Sequence, residues 1–182
     1  MRTSRVFTAL NLDKALVEAL NTLSINLGLA GYRSIKSDQM HLTLYFNGTA
    51  KEEDIQFIMD AMDVLDGTRE FPVSFTSLLA LPNMRQSRLV ATEPETGRAE
   101  CSEIHKRLTD RIKIQLPVDA RPFLPHVSLL RKNSGKPQAI MLPLIKAVTG
   151  KVIACTLYES SLYSSGPVYR ILKASLFKSV AF

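Results

Sequence analysis

The sequence has no apolar run approaching the roughly 20 residues a membrane-crossing helix needs, and Met1 to Leu12 lacks the long apolar centre of a signal peptide. A cytoplasmic protein without membrane attachment is the expectation. There is no CxxC pair: the two cysteines, Cys101 and Cys155, lie far apart, which excludes a zinc knuckle or disulfide framework and reads both as small buried apolar residues. Neither a low-complexity tract nor a repeat of solenoid period is present, which excludes stacked-repeat architectures. GxSxG is missing too, which leaves Ser128 without the elbow a serine nucleophile needs. Histidine is scarce, at three residues.

What remains is ordinary for a globular chain. Hydrophobic residues are 46% and charged residues 22% of 182, enough for one core or for two small lobes sharing a cleft. Lys and Arg exceed Asp and Glu by 23 − 17 = 6, a balance compatible with polyanion partners but unspecific by itself.

Arg5 to Leu12 alternates as a strand. Asp13 is placed to cap a helix with stripe Leu16, Leu20, Leu23 and Leu27, and Gly28 to end it. Met40 to Phe46 is the next strand, followed by Asn47-Gly48 as a turn, then Thr49 with Glu52 as a capping box for a helix that Asp66-Gly67 closes. Phe71 to Phe75 and Arg88 to Ala91 read as strands, with a polar loop at Leu81 to Ser87 whose Arg85 and Arg88 read as solvated. A third helix spans about Gly97 to Ile114. Pro125 suits the mouth of the strand His126 to Arg131. Lys132 to Pro137 is a loop, and strands Lys151 to Tyr158 and Val168 to Ser175 meet at a turn over Ser165, Gly166 and Pro167. The short late connections favour a mixed or antiparallel sheet, so the class is α+β.

Two of the three histidines begin near-copies of one pattern, His41-Leu42-Thr43-Leu44 and His126-Val127-Ser128-Leu129. On a strand, residues i and i+2 share a face about 6–7 Å apart, so each motif projects an imidazole and a hydroxyl together. Two such strands side by side make a square of two imidazoles and two hydroxyls suited to one phosphate, with one ring as base and the other as acid near neutral pH. Arg131, three residues beyond Ser128, can reach that phosphate only if a bulge or strand end corrects its parity. His105 lacks a hydroxyl two residues on and reads as structural. Neither motif carries the carboxylates or cysteines that would complete a metal shell, so neither metal nor cofactor is expected. Asp38, the nearest acid to His41, reads as a turn cap.

The segments MHLTLYFNG and RPFLPHVSLLR resemble the two signature motifs of the two-histidine phosphoesterase superfamily, specifically the RNA 2′,3′-cyclic phosphodiesterases once called 2′-5′ RNA ligases. The opening RVFTALNL and closing LYESSLYSSGPVYRIL resemble that family's first and last strands, so the likeness spans nearly the whole chain. It implies a single two-lobed α+β domain over residues 1–182, each lobe giving one motif strand to a central cleft. It further implies hydrolysis of RNA-terminal 2′,3′-cyclic phosphate to a 2′-phosphate by a monomer, with RNA or oligonucleotide ends as partners. His41 is then the proton donor and His126 the proton acceptor, while Thr43, Ser128 and Arg131 bind phosphate. Phe46 matches a motif aromatic that lines the pocket or packs into the core. Ser128 in place of threonine, Asn47 in place of an apolar residue, and the absence of tryptophan depart from the pattern. A non-catalytic nucleotide or RNA-end binding module is the alternative, as is 2′-5′ ligation by reversal of the same steps.

Overall fold

A computed structural model describes residues 3–133, 135–163 and 166–179. Eight strands form one sheet: β1 (Ser4–Leu12), β2 (Tyr32–Ser34), β3 (Leu42–Ala50), β4 (Phe71–Leu81), β5 (Leu89–Thr96), β6 (Val127–Lys132), β7 (Val148–Tyr163) and β8 (Gly166–Leu176). The helices are α1 (Lys14–Leu27), α2 (Glu52–Ala61) and α3 (Arg98–Ile112). The strand order β1-β3-β6-β5-β4-β7-β8, with a further β1–β7 pairing, closes the sheet on itself. Every strand pair is antiparallel, so the expected α+β class holds.

Helix α1 starts and stops where its residues require. An oxygen of Asp13 accepts from the Leu16 amide at 3.0 Å, and Gly28 takes the left-handed conformation at φ 49°. Leu16, Leu20 and Ser24 are its buried face. The two cysteines are buried as expected, and burial pushes both thiols up to about 12. Among the described residues no helix is long and apolar enough to cross a membrane.

Three local expectations need correction. Asn47 and Gly48 make no turn: β3 runs on to Ala50, and the register against β1 jumps from Val6↔Asn47 to Ser4↔Ala50, which is a bulge. Pairing with β1 keeps the chain extended where Asn-Gly alone would turn it. Thr49 is therefore in the strand, and the box that opens α2 is built by Asp54, whose carboxylate accepts from the Lys51 amide at 2.8 Å. The motif strands also begin later than expected, at Leu42 where Met40 was expected and at Val127 where His126 was expected. Ser134 and Ser165, in the loop and turn expected near them, lie outside the described residues.

Candidate functional site

β3 and β6 meet at a single antiparallel pair, Leu42↔Val127, both fully buried. The residues flanking an antiparallel pair stand opposite each other on the other face. This register therefore sets His41 across from Ser128 and Thr43 across from His126, with the imidazoles on one diagonal and the hydroxyls on the other. All four line one pocket of about 530 Å³. Among the described residues neither hydroxyl has a hydrogen-bond partner.

The remaining sequence-named residues arrive by matching irregularities. Against β1, Thr8↔Tyr45 is followed by Ala9↔Thr43, so Leu44 is an extra residue. Against β5, Val90↔Leu130 is followed by Ala91↔Ser128, so Leu129 is extra. Each bulge inverts the alternation beyond it. Phe46 and Arg131, each five residues after its histidine, therefore reach the pocket, where strict alternation would turn them away. The Leu129 bulge is fixed from behind: its carbonyl accepts from the Ser24 hydroxyl of α1 at 2.6 Å and from the Ile35 amide at 2.8 Å. Phe46 is 51% exposed, which removes the core-packing reading, and the Arg5 guanidinium lies 5.3 Å from its ring centroid.

The two histidines are held differently. Nδ1 of His126 lies 2.9 Å from the Leu124 carbonyl, and because a carbonyl only accepts, that nitrogen carries the proton. In the neutral ring Nε2 is then the free base. The preceding segment is braced by Phe123, whose ring stacks on His105 at 4.0 Å and 4°, which gives His105 a structural role. His41 instead sits among aromatic rings from three other strands: Phe7 stacked at 5.0 Å, Tyr158 stacked at 6.2 Å and Tyr169 edge-on at 5.7 Å. Asn11 steadies this wall by donating to Tyr158 Oη at 2.6 Å and accepting from Thr156. Burial, reinforced by the charge of His126, lowers the His41 pKa from 6.5 to about 4.

Sequence reasoning missed a cationic rim. Arg5, Arg33 and Lys36 join Arg131 in the lining, and none of the described lining side chains is Asp or Glu. Arg5 was legible in principle, because it alternates with Phe7 on β1; nothing local marks Arg33 and Lys36. Arg85 and Arg88 do not line this pocket, in keeping with a solvated loop. Among the described residues no three His, Cys, Asp or Glu side chains gather as a metal-holding group.

A family model described as the 2′-5′ RNA ligase superfamily matches residues 13–163. Solved structures with the same fold include E. coli LigT complexed with 3′-AMP, at 21% identity and TM-score 0.81, covering 97% of this chain and 99% of that one. TT0787 of Thermus thermophilus is 23% identical with TM-score 0.77, over 96% and 98%. A structure described as a phosphoesterase is 22% identical with TM-score 0.79, over 97% and 99%. No curated protein matches the chain.

Proposed function

Because the chain belongs to the 2′-5′ RNA ligase superfamily of two-histidine phosphoesterases, we propose that it hydrolyses the 2′,3′-cyclic phosphate at an RNA or oligonucleotide end to a 2′-phosphate, without a metal. The Leu42↔Val127 register carries this reading, because it brings two imidazoles and two hydroxyls together in the lining of one pocket. We read the protein as one two-lobed unit, each lobe giving one motif strand, that acts as a monomer in the cytoplasm.

In this reading Thr43 and Ser128 hold the nonbridging oxygens and Arg131 offsets the charge that builds on them. Nε2 of His126 takes a proton from the attacking water, a role supported by the Nδ1 hydrogen bond to Leu124. As the new P–O bond forms, the P–O3′ bond breaks on the opposite side, and His41 protonates the departing 3′ oxygen. The ribose 2′ oxygen keeps the phosphate. His41 enters this cycle with its proton disfavoured, so the bound anion must restore it; substrate and acid are thereby coupled. Phe46 supplies an apolar wall beside the reacting end.

The test offers an oligoribonucleotide ending in cyclic phosphate and identifies the monoester formed. A 2′-phosphate is expected, unaffected by chelator, with a fall in turnover of about 10²–10⁴ for His41→Ala or His126→Ala. Full activity in either variant, or activity lost to chelator, overturns the reading. Binding of the end without turnover by the wild-type protein favours the binding-module alternative.

A further inference from the structure

Arg33 and Lys36 stand outside both motifs, on β2 and on the turn that follows it, and the proton transfers above use neither. Arg33 pairs directly with Arg131 across β2 and β6, and both line the pocket. Like charges directly opposite on a sheet destabilise it. Among the described residues, however, neither guanidinium has a carboxylate within ion-pair distance. The acid nearby, Asp38, acts on Tyr169 but is not part of the lining.

Charge counting points the same way. One cyclic phosphate carries a single negative charge, whereas Arg5, Arg33, Lys36 and Arg131 bring four positive charges to a pocket whose described lining has no acid. One phosphate at the histidine square leaves most of that charge unmatched. The spacing supplies the rest. By strand geometry the backbone position of Arg33, opposite Arg131, falls about one two-residue step beyond Ser128 across the Leu129 bulge, or about 6–7 Å. That is the order of separation of successive phosphates along a ribonucleotide chain.

We propose that Arg33 and Lys36 form a second anion subsite, which takes the phosphodiester one nucleotide back from the reacting end. The preferred substrate is then an oligonucleotide and not a nucleoside cyclic phosphate. This rests on the cyclic phosphodiesterase reading and adds a length requirement to it.

The experiment compares wild type with the double variant Arg33→Gln/Lys36→Gln, both confirmed folded by a cooperative thermal transition with a midpoint no lower than that of wild type. Binding is measured for a trinucleotide ending in 2′-phosphate and for a nucleoside 2′-monophosphate, neither of which can turn over. The expected result is a loss of about tenfold or more in affinity for the trinucleotide, with the monophosphate held to within about twofold. An unchanged trinucleotide affinity overturns the subsite, and so does an equal loss on both ligands, which would place Arg33 and Lys36 on the reacting phosphate. Turnover of the matching cyclic substrates is recorded separately. If wild type hydrolyses neither, the phosphodiesterase reading fails, and the binding comparison still decides the subsite.

Discussion

Residue by residue, the two histidines share a motif but not an environment. His126 is oriented by a backbone carbonyl at 2.9 Å, while His41 is enclosed by Phe7, Tyr158 and Tyr169. Enclosure favours the neutral ring, which lowers its pKa from 6.5 to about 4. An anion bound at the square favours the charged ring. Its resonances in a proton NMR titration should therefore move near pH 4 in phosphate-free buffer and shift upward when a nucleoside 2′-monophosphate is added. Titration at the ordinary value in the free protein would contradict the burial argument. The sign for stability follows. Between pH 6.5 and 4 the unfolded chain holds more of this proton than the native state, so stability falls as pH drops through that window. The loss is on the order of 3 kcal/mol at about 1.36 kcal/mol per unit, visible as a smaller acid destabilisation of His41→Gln in urea unfolding.

Among the strands and helices, the site depends on two bulges. Without the extra Leu44 and Leu129, Phe46 and Arg131 would face away from the square. The second bulge is held by α1 through Ser24, a buried hydroxyl far from the chemistry in sequence. Ser24→Ala should cost about 1 kcal/mol of stability, because the Ile35 amide still satisfies the Leu129 carbonyl. It should also lower kcat several-fold by loosening Arg131. In an Arg131→Ala background the same substitution should leave kcat unchanged, since residues acting through one another are not additive. Additive losses would show that Ser24 does not work through the bulge.

Across the molecule, the net charge of +6 matters through its placement. Cations meet at the pocket while many other ionic side chains are paired on the surface, as with Lys106–Asp110 and Arg170–Glu159. Oligonucleotide binding should therefore weaken with salt in proportion to the phosphates engaged. For two to three contacts on a single strand, the slope of log K against log salt should be about −1.4 to −2.1. Titrations by fluorescence anisotropy at several salt concentrations measure it. A slope near zero would mean that the rim does not meet phosphates.

Local features were legible in the chain alone: the paired His-x-Thr/Ser motifs, the Asp13 cap and Gly28 stop of α1, the buried apolar stripes and the α+β class. Each is written in spacings of two to four residues that a single strand or helix can express. The remainder came from contacts between distant segments. Whether Asn47-Gly48 turns or bulges depends on β1, and whether Arg131 faces the site depends on how many residues β5 offers opposite β6. The Arg33–Arg131 pair exists only because β2 lies against β6. A bulge is a mismatch in count between two strands, and a cluster is a meeting of distant ones; neither leaves a period in the chain that carries it.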